Sequence, residues 1–148
     1  MEEGMIYVIG SLKSNHPCAV AKALRESGYE VFDDWHATAP DTDKHLTAYE
    51  RGRGRNMRDA LRGKAVQNQF RFDKKHLNAC RAVVMVMPAG KSGHMELGFV
   101  CGLGKPAFVL LERDPDEFDL MYAFCFDTGG DICYSIGELI AGMRKVGL

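Results

Sequence analysis

The chain has 148 residues, of which 46% are hydrophobic and 26% are charged, a balance typical of a globular domain with a sizeable core. Its formal net charge of −1 gives no overall field that would attract nucleic acid or an anionic membrane. We find no apolar stretch long enough to cross a bilayer, and acidic residues stand where a secretory signal would be basic. The five cysteines have no paired spacing, which indicates reduced, mostly buried thiols in a cytoplasmic protein without a metal site.

Short apolar runs alternate with segments of helical periodicity along the whole chain. In chain order, the predicted elements are a strand over 5–10, a helix over 14–28, a strand over 29–35, a polar loop over 36–55 with at most one helical turn near 46–51, a helix over 56–78, a strand over 82–87, a helix over 92–104, a strand over 106–111, a short helix over 116–124, a strand over 131–135 and a helix over 136–146. This alternation predicts one α/β domain over 1–148, with a parallel sheet covered by helices on both faces.

The polar segment over 36–58 is long for a connection within a compact domain, and such segments usually have a function. We therefore interpret it as a lid or an insertion. It continues into "RGRGRNMRDALRGK" (51–64), where Arg51 and Arg53 could hold a phosphate through their guanidinium groups. No aromatic residues other than Tyr49 accompany these arginines, which disfavours a nucleic-acid surface.

Ligands of open parallel sheets bind beyond the carboxyl ends of the strands, where the strand order reverses. After the first strand, Gly10 would allow a ribose or phosphate to approach and Ser11 could donate a hydrogen bond, although an ordinary turn would look the same. After the second strand, Asp33 lies near Trp35, which could stack on a base or belong to the core.

The third strand is followed by "MPAGKSGHMELG" (87–98), which places Glu96 near the start of a helix. In the first turn, this carboxylate could simply interact with the helix dipole, for about 0.3–1 kcal/mol. Alternatively, it could attack an electrophilic carbon, with Gly93 and Gly98 admitting the ligand and a helix N-terminus lowering its pKa. Ser92, in the same turn, could contribute to a phosphate site together with Ser11.

Two further residues are candidates for the same chemistry. Asp73 lies on the helix before the third strand, where it could pair with nearby lysines or, beside the apolar Phe70 and Leu77, point towards the strand ends. His94 could protonate a leaving base, because its ordinary pKa of about 6.5 is close to neutrality, or it could be structural.

Four segments together resemble the nucleoside 2-deoxyribosyltransferase superfamily, which includes deoxynucleoside monophosphate N-glycosidases and cytidylate N-glycosidases. They are "IYVIGSL" (6–12), "FDKKHL" (72–77), "AGKSGHMELGFVCGLGKPAFVLL" (89–111) and "DLMY" (119–122). The resemblance covers most of residues 5–140 in order. Residues 36–60 match little in the characterised enzymes and are more similar to an uncharacterised bacterial and phage branch.

The resemblance implies a flavodoxin-like sheet of five strands in the order 2-1-3-4-5, with no cofactor. It implies that Glu96 is the nucleophile at the anomeric carbon, and that Asp73 binds the sugar hydroxyls or holds Glu96 in place. Gly10 and Ser11 would line the sugar or phosphate pocket. It also implies a homodimer or a higher homo-oligomer in which subunits complete one another's sites.

The sequence departs from the transferases at two places. There is no carboxylate between Asp73 and Glu96, so protonation of the leaving base would fall to His94, to Asp33 or Asp34, or to water. The C-terminal "MRKVGL" lacks the carboxylate pattern that the transferases use. These departures favour hydrolysis over transfer to an acceptor base.

The sequence therefore predicts an enzyme that cleaves or transfers the N-glycosidic bond of a small-molecule nucleoside or nucleotide. Three alternatives remain: an NAD glycohydrolase of similar architecture, a binding module without catalysis, and a purely structural domain. The identity of the base, the sugar and the phosphate state stay open.

Overall fold

The computed structural model of the chain describes residues 4–38 and 40–148. The acidic residues Glu2 and Glu3, on which the expectation about a signal sequence depends, lie outside the described residues. So does Ala39, one residue of the predicted lid.

Five strands form one sheet in which all neighbours are parallel, in the order β2-β1-β3-β4-β5. The strands are β1 (Ile6–Ile9), β2 (Val31–Phe32), β3 (Ala82–Val86), β4 (Ala107–Leu110) and β5 (Ile132–Cys133). Ile6 pairs with Val31 on one side and with Ala82 on the other, so β1 lies inside the sheet. The predicted strand order and the parallel α/β architecture are confirmed, although each strand is shorter than its apolar run.

Seven α-helices and two 3-10 helices connect the strands in the part of the chain that the structure describes. The α-helices are α1 (His16–Glu26), α2 (Thr42–Gly52), α3 (Met57–Arg62), α4 (Lys64–Ala79), α5 (Lys91–Gly102), α6 (Phe124–Asp127) and α7 (Ile136–Lys145). The 3-10 helices are Asp34–Ala37 and Leu120–Ala123.

The sheet separates two apolar clusters, because side chains alternate between the faces of a strand. On one face, Ile6 and Val8 pack with buried residues of α1 and α7. On the other face, Tyr7 and Ile9 pack with buried residues of α4, α5 and α6. The second face is the one on which the candidate site is built.

The prediction of a polar loop over 36–55 is wrong, because the 11-residue helix α2 occupies most of it. This helix buries only Glu50, which pairs with Arg55 beyond the end of the helix. α2 contains few apolar residues and none of them is buried, so the sequence shows no apolar face that would predict this helix.

The predicted helix over 56–78 is also divided. Gly63 has an extended backbone and separates α3 from α4. The low helix propensity of glycine favours a break at this position. The predicted helix over 116–124 is shifted: a 3-10 turn at Leu120–Ala123 leads directly into α6.

Candidate active site

Glu96 lies in the second turn of α5. The helix begins at Lys91, so Glu96 is its sixth residue, and there is no acidic residue in the first turn. The expectation of a first-turn carboxylate is therefore wrong. A capping role is excluded with it, because unpaired amides and the dipole effect are confined to the end of the helix.

The Tyr7 hydroxyl of β1 lies beside the Glu96 carboxylate and acts on its pKa as a hydrogen-bond donor. The Tyr7 side chain is only 1% exposed, and its ring lies 5.0 Å from the Phe32 ring. Burial raises the pKa of Tyr7, and the nearby Glu96 and Asp73 carboxylates raise it further. The hydroxyl consequently stays protonated and acts as a donor to Glu96.

Asp73 reaches the same place from α4. It is half-buried, and its carboxylate accepts a hydrogen bond of 3.4 Å from Gln69. Burial raises the pKa of Asp73, against the opposing effects of Gln69 and His76. Among the apolar residues expected to flank it, Leu77 is buried but Phe70 is half-exposed, with the Lys74 ammonium near its ring.

Burial raises the pKa of Glu96 to about 7; the Tyr7 hydrogen bond opposes this and the charge of Asp73 adds to it. The direction is opposite to the one expected from a helix N-terminus. At neutral pH the carboxyl group is therefore divided between its two protonation states, and the ionised fraction grows as the pH rises through 7. A carboxyl group in this state can accept a proton or, when ionised, attack an electrophile.

Gly93 brings α5 against the sheet. A Cβ atom at this position would lie 2.9 Å from Ile9 Cγ2 and 3.2 Å from Ala89 Cβ. Gly98 has nothing within 4 Å of the same point. The small residue at 93 thus serves the packing of α5 on β1, which in turn places Glu96 beside Tyr7.

Gly10 has a similar explanation. A Cβ atom there would lie 2.4 Å from Pro17 Cγ, so the missing side chain makes room for the first turn of α1. The hydroxyl of Ser11 accepts a hydrogen bond of 3.1 Å from the Lys13 amide. Ser92 is exposed in the first turn of α5.

His94 faces away from Glu96. Nδ1 lies 2.7 Å from the Gly90 carbonyl, and Nε2 lies 2.8 Å from the Tyr122 hydroxyl. Because a carbonyl can only accept, Nδ1 donates to Gly90, and in the neutral ring Nε2 accepts from Tyr122. His94 and Glu96 are two residues apart, which on a helix corresponds to a rotation of about 200°. Their side chains therefore lie on different faces of α5.

Asp33 and Trp35, which follow β2, already have polar partners within the chain. Asp33 forms an ion pair of 2.6 Å with Arg25. Trp35 donates a hydrogen bond of 2.7 Å from Nε1 to the Val8 carbonyl and packs against the same apolar cluster as Tyr7. Trp35 therefore lies near the candidate site. The hydrogen bond from its ring nitrogen to Val8 holds the side chain in place.

Arg51 and Arg53 lie at the end of α2 and directly after it, and both are exposed. Arg53 donates a hydrogen bond to the Tyr49 hydroxyl and lies over the Tyr49 ring. The contacts of these two arginines are thus local to α2, whereas Tyr7, Asp73 and Glu96 interact with one another.

A cavity of about 830 Å³ opens beyond the carboxyl ends of β3, β4 and β5. Its walls are mostly aromatic and apolar, and its lining includes Pro88, Phe118, Leu120, Tyr122, Phe126 and Tyr134, with Glu112, Asp114, Asp119 and Asp131 as its carboxylates. Glu96, Asp73 and Tyr7 do not line it. Tyr122 is the link between the two regions, because it lines the cavity and contacts His94.

Within residues 4–38 and 40–148, no group of three or more His, Cys, Asp or Glu side chains could hold a metal ion. In the same part of the chain, no helix combines the length and the apolar character needed to cross a bilayer. All five cysteines are free, and Cys80, Cys125 and Cys133 are buried.

No protein-family model matches this sequence, and neither does any curated protein. Several solved structures match, and two of them are similar over almost their whole length. The likeness establishes a shared fold. One is a conserved protein from Enterococcus faecalis V583, with a TM-score of 0.59, 13% identity, and coverage of 97% of this chain and 99% of that one. The other is the CMP N-glycosidase BcmB of Clostridium botulinum, with a TM-score of 0.53, 14% identity, and coverage of 95% of this chain and 98% of that one.

Sequence reasoning missed two tyrosines that the structure makes central. In the sequence, Tyr7 is part of an apolar strand. Its polar hydroxyl within a buried parallel strand is nevertheless a signal, because buried tyrosines usually find a hydrogen-bond partner. Tyr122 belongs to "DLMY", a segment noted for its resemblance, but nothing local indicated that it would contact His94.

Proposed function

We propose that the protein cleaves the N-glycosidic bond of a nucleoside or nucleotide, with Glu96 attacking the anomeric carbon of the sugar. The observation that carries this proposal is the cluster of Tyr7, Asp73 and Glu96, in which a half-buried carboxyl group has a raised pKa and a fixed hydrogen-bond donor. Perturbed carboxyl groups of this kind concentrate at catalytic sites. The shared fold with a CMP N-glycosidase is consistent with the same class of bond.

In the proposed reaction, one Glu96 oxygen forms a bond to C1′ while the C1′–N bond breaks. The electron pair of that bond leaves with the base, which takes up a proton. Water then attacks C1′ of the glycosyl ester, and this step releases the sugar and regenerates the Glu96 carboxylate. Attack requires an ionised Glu96 at about 3–3.5 Å from C1′.

Each neighbour of Glu96 has a role in this scheme. Tyr7 holds one carboxylate oxygen and limits the cost of ionising a buried acid. Asp73 accepts hydrogen bonds from sugar hydroxyls. Of the candidate acids for the leaving base, His94 is engaged with Tyr122 and Asp33 with Arg25, and Asp34 is exposed to solvent, so we assign the base proton to water.

We place the sugar beside Glu96 and not in the large cavity. The carboxylates of the cavity are exposed, and three of them already accept hydrogen bonds: Asp114 from Tyr134, Asp119 from the Met121 amide and Asp131 from the Ile132 amide. Such solvated, occupied groups are poorer nucleophile candidates than a desolvated carboxyl group with one donor.

Several finer features belong to the same proposal. We propose hydrolysis in preference to transfer, and a cytoplasmic enzyme that acts as a homodimer. We propose that residues 36–58 cover the site, and that Ser11, Ser92, Arg51 and Arg53 hold a 5′-phosphate while Gly10 and Gly93 shape the adjacent turns. The exposed guanidinium groups of the two arginines support this assignment, since they are free of an ion pair in the described contacts.

The test is incubation with a panel of nucleosides, their monophosphates and NAD, with and without a second base, followed by chromatography. Wild-type protein should release free base, and Glu96→Gln should release almost none. Glu112→Gln, which changes an exposed carboxylate of the cavity, is the matched control and should remain active.

Other results would redirect the proposal. Cleavage of NAD alone would favour the NAD glycohydrolase. Ligand binding without turnover would indicate a binding module, and an active Glu96→Gln variant would remove the nucleophile. Equal use of nucleosides and monophosphates, or unchanged monophosphate use after Arg51→Ala and Arg53→Ala, would exclude the phosphate site.

A further inference from the structure

His76 is a buried polar side chain of α4 that the proposed reaction does not use. It is 8% exposed and lies three residues after Asp73, about one helical turn along the same helix. Its Nδ1 atom lies 2.8 Å from the carbonyl oxygen of Phe72. Because a carbonyl can only accept, Nδ1 carries a hydrogen and donates it. This hydrogen bond fixes the rotation of the imidazole ring.

The fixed imidazole packs face to face against an aromatic ring of the sheet. The ring centroids of His76 and Phe32 are 4.0 Å apart, and their planes differ by only 12°. The Phe72 ring is tilted against both, with its centroid 4.7 Å from that of His76 and 6.0 Å from that of Phe32. A side chain of α4 thus covers one face of Phe32.

Phe32 connects these rings to the candidate site. It is the parallel-strand partner of Tyr7, and the two ring centroids are 5.0 Å apart. Phe32 belongs to β2, which lies at the edge of the sheet and has only two residues. So short an edge strand has few ladder hydrogen bonds, and packing from α4 is therefore important for the position of the Phe32 ring against Tyr7.

We propose that His76 is a positioning residue of the candidate active site. Its imidazole holds Phe32 against Tyr7, and this contact keeps the Tyr7 hydroxyl beside the Glu96 carboxyl group. The supporting geometry is the continuous series of contacts from α4 through β2 to β1. The kinetic consequence rests on the proposed function, whereas the consequence for Glu96 can be measured without it.

The role needs two properties of the imidazole at once. Phenylalanine would keep a flat ring but lose the hydrogen bond to Phe72, so the ring could rotate away from Phe32. Asparagine could place an amide donor near the position of Nδ1 but has no aromatic face. Substitution by either residue should therefore loosen the contact between Phe32 and Tyr7.

The expected consequence is a change in the ionisation of Glu96. Burial raises the pKa of Glu96, the Tyr7 hydroxyl opposes this, and the Asp73 charge adds to it. Burial also raises the pKa of Asp73, against the opposing effects of Gln69 and His76. If Tyr7 moves away, Glu96 loses the donor that favours its ionised form, and its pKa should rise.

The first measurement is the pH dependence of base release by wild-type protein, His76→Asn and His76→Phe. In both variants the rise of the rate should move to higher pH by about half a unit to one unit, which lowers kcat at pH 6 about three- to tenfold. At high pH the rate should recover, and KM should stay unchanged. Leu139→Ala, the matched control, alters a buried residue on the opposite face of the sheet and should lower stability without moving the pH profile.

The second measurement needs no activity. Urea unfolding of each protein with and without Glu96→Gln, at pH 5 and pH 8, gives the loss of stability that is due to ionisation of Glu96. This loss should be larger in His76→Asn than in wild type, because a higher pKa in the folded state retains the proton to higher pH. In a Tyr7→Phe background, His76→Asn should not increase it further.

The outcomes distinguish this inference from the proposed function. No base release, together with the larger Glu96-dependent loss in His76→Asn, would reject the glycosidase and support the positioning role. An unchanged loss in that variant, or an increase that persists in the Tyr7→Phe background, would overturn the positioning role. If neither His76 variant folds, Phe32→Leu removes the intervening ring and should increase the same loss, and an unchanged loss there would equally overturn it.

Discussion

Glu96 is the residue at which stability and the proposed chemistry conflict. Its pKa of about 7 in the folded protein exceeds the 4.5 of a free carboxyl group, so the folded state holds the proton more tightly than the unfolded chain does. This preference stabilises the fold fully below about pH 4.5 and is lost as the pH rises through 7. The ionised form that the reaction needs is consequently the less stable one.

The first prediction concerns Glu96→Gln. Each unit of pKa shift corresponds to about 1.4 kcal/mol, so wild-type protein should lose up to about 3 kcal/mol of unfolding free energy between pH 4.5 and 8 through this group. The variant cannot ionise and should lose correspondingly less. Urea denaturation of both proteins at pH 5 and pH 8 measures the difference, and identical pH dependence in the two would contradict it.

The second prediction sets Tyr7→Phe against Asp73→Asn in the pH dependence of base release. Removing the Tyr7 hydroxyl should raise the pKa of Glu96 and move the rising limb of the rate to higher pH. Removing the Asp73 charge should lower that pKa and move the limb to lower pH, with a reduced but measurable rate. If both variants shifted the pH profile in the same direction, the rise of the rate with pH would not be due to ionisation of Glu96.

At the scale of elements, the approach of α5 to β1 determines where Glu96 is. Gly93 permits this approach because Ile9 and Ala89 occupy the space that a side chain would need. Gly98, five residues later on the same helix, is exposed and has open space around it. The two glycines therefore allow packing and helix propensity to be separated experimentally.

The third prediction is a contrast between Gly93→Ala and Gly98→Ala. The first should lower the unfolding free energy by about 1–3 kcal/mol, because overpacking forces α5 away from β1, and should lower base release as well. The second should raise the unfolding free energy by about 0.5–1 kcal/mol, because alanine is the better helix former. A stable Gly93→Ala protein with normal activity would show that the contact can relax.

The fourth prediction concerns the start of α7. The Ser135 hydroxyl accepts a hydrogen bond of 3.1 Å from the Glu138 amide, and the Glu138 carboxylate accepts one of 2.8 Å from the Tyr134 amide. This reciprocal cap should make Ser135→Ala destabilising by about 1 kcal/mol. Ser92→Ala, at an exposed position, is the control in the same thermal or urea unfolding assay and should change stability little.

At the scale of the whole molecule, large apolar side chains remain exposed in the single chain. Phe118 is 75% exposed, Leu120 79% and Met95 75%. Phe118 and Leu120 both line the large cavity, and large apolar side chains exposed together in this way mark an interaction site. This is the structural support for the homodimer in the proposed function.

The fifth prediction follows from that surface. Sedimentation at micromolar concentration should give twice the 16.5 kDa mass of one chain, and Leu120→Glu should shift the equilibrium towards the monomer by burying a charge in the contact. Glu112→Gln should leave the mass unchanged. A wild-type monomer at these concentrations would contradict the prediction.

The sequence by itself determined the parallel α/β sheet, because buried strands and amphipathic helices leave local patterns that do not depend on distant residues. The strand order came only from the resemblance to the deoxyribosyltransferase superfamily. The sequence also identified Glu96 and Asp73 as candidates, through their position beside a strand end and their resemblance to a known motif. It missed α2, whose one buried residue is the charged Glu50, because few apolar residues mark that helix.

Only the tertiary structure decided which side chains surround the candidate residues. Tyr7, Asp73 and Glu96 come from β1, α4 and α5, and the pKa of Glu96 depends on burial and charge contributed by all three elements. Tertiary packing also turned His94 towards Tyr122 and assigned Gly10 and Gly93 to close contacts between elements. Desolvation and long-range contacts have no local sequence pattern, because they exist only after distant parts of the chain have packed together.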